Sequence, residues 1–358
     1  MPELLEGECR PQQQVAIIFN PASGNADPGT RRGKLEELAQ AAGLTCDLTE
    51  TDREKGAAPL AQEAVNDGME RVLVSGGDGS MAEAAGALAG TDSALAVIPG
   101  GTGNLLAVNL GLPTDPKEAM DLALNGEAKP TDVGRANGQV FLIMAGMGAD
   151  ARMIREADRE MKNRLGPLAY FLTAFRNLGR TRVTYRVTID GRRFRRRAHT
   201  VLVANLGRVT GGVELVPNTG PDNGMLEVAI LRARGFWGLA QVAVNAMLGR
   251  TRSDNLFEIH HGREVLIRTA RPQPVQLDGN DAGATTRLEV HVEPGALRVV
   301  RPAEGAANTH ALVPQIAEEA TRRWAPLVLG LGTVAVGAYL VWRRRSGRGS
   351  GGAGQENA

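Results

Sequence analysis

Aromatic side chains are scarce, at 4% of 358 residues. That argues against a nucleic-acid reader that stacks bases on aromatic platforms. Excess charge is lacking too: 41 Lys and Arg face 40 Asp and Glu, leaving +1, so no polyanion binder built on net charge is indicated. Lysine is nearly absent (Lys34, Lys55, Lys117, Lys129 and Lys162), and Arg carries almost all the basic charge. Only two cysteines occur, Cys9 and Cys46, with neither metal-ligand spacing nor a disulfide framework. Residues 1–14 are polar and contain no apolar stretch, so no secretory signal is read there. A cytoplasmic location for the folded part is the resulting expectation. No internal repeat is found.

Long apolar runs are also rare, with one exception. Residues 324–342 form a 19-residue stretch without a charge, bracketed by Arg322–Arg323 and Arg343–Arg345 and carrying Trp at both ends. About 20 apolar residues suffice to cross a bilayer as a helix, and Trp and Arg favour its interfaces. The segment is read as a single-pass helix tethering the protein to the cell membrane. It comes after a linker or returning helix at 303–323 and precedes a basic, Gly-rich tail at 343–358.

Upstream the texture is that of a folded protein, with 42% hydrophobic and 23% charged residues. From residue 15 to 131, apolar runs at 15–19, 44–49, 71–75 and 94–99 alternate with helical patterns at 31–42, 57–66, 81–89 and after 104. Such alternation predicts a parallel sheet with both faces covered, and its ligands should bind beyond the carboxyl ends of the strands. From 132 to 302 the runs at 183–189, 199–204, 225–231, 264–268 and 288–292 predict a mainly antiparallel β-sandwich. Helical patterns interrupt it at 151–165, 167–178 and 235–248. The fold class is therefore α/β, with a nucleotide-binding first domain, a β-rich second domain and a C-terminal hydrophobic helix.

Three strands of the first domain end in Gly-rich loops: Asn20-Pro21-Ala22-Ser23-Gly24, Gly76-Gly77-Asp78-Gly79-Ser80 and Gly100-Gly101-Thr102-Gly103-Asn104. Glycine lets backbone N–H groups approach a phosphate, and the helix after each loop adds unpaired donors and partial positive charge. Asp78 puts a carboxylate beside that cradle. It would repel a bare triphosphate, so an intervening Mg²⁺ is implied.

These loops, together with motifs further along the chain, resemble a known family. The run Gly76–Ser80 with Glu83 after it, and the Asn20–Gly24 and Gly100–Asn104 loops on either side, are similar to the catalytic domain of diacylglycerol kinases, sphingosine kinases and their bacterial relatives. The likeness continues through Thr131-Asp132-Val133-Gly134, Met144-Ala145-Gly146-Met147-Gly148, Ala204-Asn205, Gly211-Gly212, Pro217, Asp222-Asn223-Gly224-Met225-Leu226 and Leu277-Asp278-Gly279. The resemblance implies an ATP-dependent lipid kinase acting on a diacylglycerol or sphingoid-like hydroxyl. It implies ATP contacts from Asn20, Pro21, Ser23, Gly24, Thr51, Gly76, Gly77, Asp78, Gly79, Ser80, Glu83, Gly101, Thr102, Gly103 and Asn104. Asp78 and Asp132 would hold the Mg²⁺ and water network, and Asp278 would face the acceptor. Backbone groups around Gly220, Asn223 and Met225 would form a structural metal site.

The chain departs from the family at three places. Asn280 stands where a Glu serves as general base, and an ionised carboxylate can accept a proton that an amide cannot; the adjacent Asp281 is the candidate replacement. Asn223 stands where a second acid is common, and Leu105 where many diacylglycerol kinases have Asp. Two other readings stay open: kinase action on a soluble acceptor such as NAD, through the shared Gly-Gly-Asp-Gly loop, and a nucleotide-binding regulator, through Asn280. Partners implied are a lipid substrate and a membrane, with no nucleic acid, and a homodimer is left open. Residues 167–178 could line an acyl channel or simply pack in the core. Arg192, Arg193, Arg195, Arg196 and Arg197 form a basic hairpin, and His260 and His261 are read as strand-edge residues.

Overall fold

The computed structural model describes residues 14–24, 26–44, 48–52, 56–148, 182–209, 213–214, 219–232 and 257–303, all within one contact unit, 1–310. The helical patterns at 151–165, 167–178 and 235–248, both cysteines, Gly211-Gly212, Pro217 and everything after 303 lie outside the described residues.

Alternation in the first third gives β1 (Val15–Phe19), α1 (Pro28–Ala41), β2 (Leu48–Glu50), α2 (Ala58–Asn66), β3 (Arg71–Gly76), α3 (Asp78–Leu88), β4 (Ala94–Pro99), α4 (Leu105–Leu110) and α5 (Pro116–Asn125). The strands run parallel in the order β4-β3-β1-β2. β1, β3 and β4 are largely buried on both sides because both faces are covered, whereas the edge strand β2 is mostly exposed. Ile17, Phe19, Leu73 and Ile98 pack with Leu35 of α1 and Met120 of α5, while Ile18, Val74 and Val97 pack with Met81 and Leu88 of α3. Burying a side chain of this size contributes about 1.5–3 kcal/mol. α1 starts where Asp27 accepts the Thr30 N–H at 2.8 Å ahead of Pro28, and α5 starts in the same way at Asp115-Pro116.

The β-rich part contains β5 (Glu127–Ala136), β6 (Gln139–Phe141), β7 (Met144–Met147), β8 (Val183–Ile189), β9 (Arg192–Ala198) and β10 (Thr200–Ala204). The short β11 (Arg208–Val209) and β12 (Val213–Glu214) come next, then β13 (Leu226–Leu231), β14 (Phe257–Gly262), β15 (Glu264–Leu277) and β16 (Asn280–Arg301). Its internal pairings are antiparallel. It is not a detached second sheet, however. The end of β16 pairs in parallel with β4 through Arg298–Ala94 and Val299–Leu95, so one mixed 14-stranded sheet runs through the molecule. Its antiparallel region wraps a second core that includes Phe141, Tyr185, Val203, Val228 and Ile267.

The edge strands β9 and β14 meet at Glu258, which takes Arg196 at 2.7 Å, His260 at 2.8 Å and Arg232 at 3.3 Å. Burial alone would raise the Glu258 pKa, but the hydrogen bonds from Arg196 and His260 hold it at about 2. His260 and His261 lie on β14, an edge strand.

The membrane anchor requires correction. No described helix is long and apolar enough to cross a membrane. The longest, α1, has 14 residues and covers about 21 Å, against roughly 30 Å of hydrocarbon. The run at 324–342 lies outside the described residues. Single-pass attachment to the cell membrane is therefore withdrawn.

Candidate active site

The register of the parallel strands decides where the Gly-rich loops go. Phe19 pairs with both Glu50 and Ser75, and Ser75 and Gly76 pair with Ile98 and Pro99. All four strands thus end at one level, and the loops after β1, β3 and β4 open on the same edge. They also touch. The Gly100 N–H donates to Gly76 O at 2.9 Å and the Asn20 N–H to Ser75 O at 2.8 Å. A Cβ on Gly101 would lie 2.7 Å from the Gly77 Cα, so only glycine permits this approach.

Most of the side chains assigned to ATP build the cradle. Asn20 Nδ2 donates to Ser80 Oγ at 2.8 Å, Ser23 Oγ accepts the Gly77 N–H at 3.1 Å, and Asn104 accepts and returns hydrogen bonds with Gly101. Glu83 Oε2 accepts the Ala57 N–H at 2.7 Å, pinning the loop before α2. Thr51 is buried at the end of β2, with its N–H on Phe19 O. Pro21 lies in the turn after Asn20, and Thr102 is exposed at the tip of the third loop. Gly24 packs on Gly100, since a Cβ there would meet the Gly100 O at 2.3 Å. Gly79 and Ser80 lie in the first turn of α3, and Gly103 lies against Asp78.

Asp78 opens α3. Its Oδ1 accepts the Leu106 N–H at 3.3 Å, and its Oδ2 is 2.9 Å from where a Cβ on Gly103 would sit. The carboxylate therefore lies among the second and third loops. From the other side, Asn280 Nδ2 comes within 3.8 Å of a Cβ placed on Gly79. The Asp278-Gly279 turn, φ +47° and +79°, joins Leu277 to its partner Asn280. A two-residue hairpin with both φ values positive is the geometry for which Asp-Gly is selected.

The other acids do different work. Asp278 does not present its carboxylate to an acceptor: Oδ2 takes the Leu142 N–H at 2.7 Å, and Oδ1 takes those of Ile143 and Met144 at 2.8 and 2.9 Å. Burial lifts its pKa to about 6, the three N–H groups oppose the rise, and Asp78 adds to it. Asp132 spends both oxygens on the Gly224 and Gly295 N–H groups, at 2.6 and 2.8 Å. Asp281 is exposed and caps its own turn through the Gly283 N–H at 2.9 Å. Asn223 Oδ1 accepts the Met225 N–H at 3.0 Å, and Gly220 sits beside that side chain. Among the described residues no group of three or more His, Cys, Asp or Glu side chains could hold a metal. A cation at the turn of Gly220, Asn223 and Met225 would have to be held by backbone oxygens rather than by such a group.

Two further residues gain a role only in the fold, Asn205 within the Ala204-Asn205 motif and Arg31 outside any motif. Asn205 is buried and donates to the carbonyls of Asp132 and Leu142, both at 2.9 Å. It ties its own motif to the Asp132 motif and to Leu142, just ahead of the Met144 motif. Arg31 lies in the first turn of α1 with its guanidinium 5.0 Å from the Phe19 ring. Nη1 donates to Ser23 O and Asn20 O, while Nη2 is buried with no hydrogen-bond partner and fills the space a Cβ on Gly100 would need. A cation in a first turn opposes the helix dipole, and that misfit was a usable signal.

Residues 14–136 match the diacylglycerol kinase catalytic domain, and residues 143–301 match the YegS C-terminal NAD kinase beta sandwich-like domain. The chain belongs to the diacylglycerol kinase family. A diacylglycerol kinase of Bacillus subtilis is 30% identical over 76% of this chain and 91% of its own. A Pseudomonas fluorescens protein named "Probable lipid kinase YegS-like" is 32% identical over 74% and 89%. The crystal structure of a diacylglycerol kinase from Bacillus anthracis superposes with a TM-score of 0.67 at 27% identity, covering 81% of this chain and 97% of that one. Family members are phosphotransferases with an alcohol group as acceptor, and this chain is an enzyme of that lipid-kinase type.

Proposed function

We propose that the protein transfers the γ-phosphoryl group of ATP to the hydroxyl group of a lipid, diacylglycerol or a sphingoid-like molecule. The observation that carries this reading is the common level at which β1, β3 and β4 end, with Asp78 among their loops. Phosphoryl transfer asks a protein chiefly to position reactants and neutralise charge. Backbone donors at the start of α3 suit phosphate oxygens, and the contact between Gly77 and Gly101 leaves the loops no slack.

Asp78 makes chemical sense beside a triphosphate when Mg²⁺ is bound, since the ion bridges phosphate oxygens and offsets their charge. The acceptor would enter near the Asp278-Gly279 hairpin, whose Asn280 lies over Gly79. Asp278 holds that hairpin to residues 142–144 and keeps Asn280 at the mouth of the cradle. With an amide at position 280, that position itself offers no base, and the adjacent Asp281 would have to leave its own turn to serve as one. A general base contributes about 10²- to 10⁴-fold, so slow turnover is expected.

The test is a transfer assay with the full chain, ATP and Mg²⁺ against diacylglycerol, sphingoid base, ceramide and polyprenol acceptors. Asp78→Asn, which keeps the side-chain shape, should abolish transfer while the protein stays folded. Turnover equal to wild type in that variant refutes the role given to Asp78. ATP binding without transfer to any acceptor would instead favour a nucleotide-binding regulator.

A further inference from the structure

The outer face of the antiparallel region carries arginines in a row. Arg195 of β9 pairs with Arg186 of β8, Arg186 with Arg268 of β15, and Arg268 with Arg287 of β16. Directly paired residues share a face, and here the opposite face holds Tyr185, Val187, Ile267 and Leu288 in the core. All four arginines are exposed. Arg193 and Arg197, alternating with Arg195 along β9, widen the row into a patch. Arg287 pairs with Glu289. Among the described residues, Arg186, Arg193, Arg195, Arg197 and Arg268 have no ion-pair partner.

Like charges set opposite one another across strands are destabilising, so this arrangement costs the fold something. Protection of the open edge at β9 accounts for charge on that strand. It does not account for Arg186 and Arg268, which lie on strands paired on both sides. With strands about 4.8 Å apart, the four-strand row extends about 15 Å. That is a flat cationic strip on the scale of several lipid headgroups. Arg268 and Leu277 lie nine positions apart on β15, about 30 Å in extended chain. The strip and the Asp278 hairpin thus occupy different stretches of that strand, whose pairing shifts register between Arg268 and Gln273 and again between Pro274 and Gln276.

We propose that this arginine strip is a docking face for the surface of an anionic phospholipid bilayer. The contact is peripheral, reversible and sensitive to salt, and it needs no membrane-crossing segment. The idea rests on the lipid-kinase reading only for choosing a lipid surface over another polyanion; the sparse aromatics, 4% of the chain, point the same way.

The experiment sediments the full chain with vesicles of phosphatidylcholine alone, and with vesicles of phosphatidylcholine and phosphatidylglycerol in equal parts. Wild type should favour the anionic vesicles and leave them in high salt, where screening shortens to about 3 Å at 1 M. The variant Arg186→Gln/Arg195→Gln/Arg268→Gln should partition about 10²-fold more weakly. The same three positions changed to Lys should retain binding. Thermal unfolding of the Gln variant should come no earlier than wild type, since like-charge pairs have been removed. Equal sedimentation of wild type on both vesicle types, or undiminished binding by the Gln variant, overturns the proposal. So does preferential capture of a DNA duplex over the anionic vesicles. Turnover of a short-chain diacylglycerol in detergent micelles should be the same for the Gln variant and wild type. If wild type shows no turnover there, the kinase reading fails, while the vesicle result still decides the docking face.

Discussion

Asp278 and Met144 are bonded twice: the Met144 N–H donates to Asp278 Oδ1 at 2.9 Å, and the Asp278 N–H donates to Met144 O at 2.9 Å. This reciprocal pair fastens the hairpin over the cradle to the β-rich core. It gives the acid of the Leu277-Asp278-Gly279 motif an architectural task.

Replacing Asp278 with Ala would strand the N–H groups of Leu142, Ile143 and Met144. Unpaired buried donors cost about 1–3 kcal/mol each, and water entering the turn will recover part of that. A loss of about 2–4 kcal/mol in urea unfolding is expected, together with loss of activity. Asn should cost less than Ala, because its one carbonyl oxygen can still serve Ile143 and Met144. Wild-type stability in the Ala variant would show that the carboxylate does not hold the turn.

Asn280→Glu should raise kcat by about tenfold or more, since a general base is worth about 10²- to 10⁴-fold. Asp278 and Asp78 would be near that new carboxylate, and like charges lift a carboxyl pKa toward the working range. The pH profile of kcat should gain an acid limb. An unchanged kcat would locate proton acceptance elsewhere.

Arg31→Met removes the cation that gathers the carbonyls of Asn20 and Ser23. The KM for ATP should rise about tenfold, a loss of the size expected for one hydrogen-bonded charge, while the KM for lipid holds. Lys at this position should recover only part of the loss, because it lacks the planar fork. Equal effects on both KM values would mark a general loosening of the fold.

Glu227 is 6% exposed, and burial raises its pKa to about 7 despite the opposing influence of His261. Its folded pKa therefore exceeds its ordinary value of 4.5. The contribution to stability is complete below about pH 4.5 and is lost as pH rises toward 7. Asp278 acts in the same direction up to about pH 6. Glu227→Gln should then be more stable than wild type at pH 8 by about 1–3 kcal/mol, with little gain at about pH 4.5. Urea midpoints at the two values measure this; a variant weaker than wild type at the higher pH would contradict it.

The parallel half was legible because each signal there is local. An apolar run, a Gly-rich loop and an N-cap such as Asp27 or Asp115 each declare themselves within a dozen residues. The convergence of the loops came from the strand–loop–helix order alone. What the side chains do was less legible. The resemblance assigns Asn20, Ser23, Glu83 and Asp132 to ligands; each also bonds a partner far away in sequence, and no spacing rule reports such bonds. The union of the two halves through β16 was hidden for the same reason: a parallel pairing between residues 94 and 298 leaves no local trace.

That late pairing constrains how the protein is made. While the chain grows, β4 has no neighbour on its outer side until Arg298 and Val299 arrive, so an apolar border stays open through most of translation. Open borders of this kind recruit other chains. A fragment cut at residue 131 would inherit the defect permanently, and only the uninterrupted polypeptide can close it.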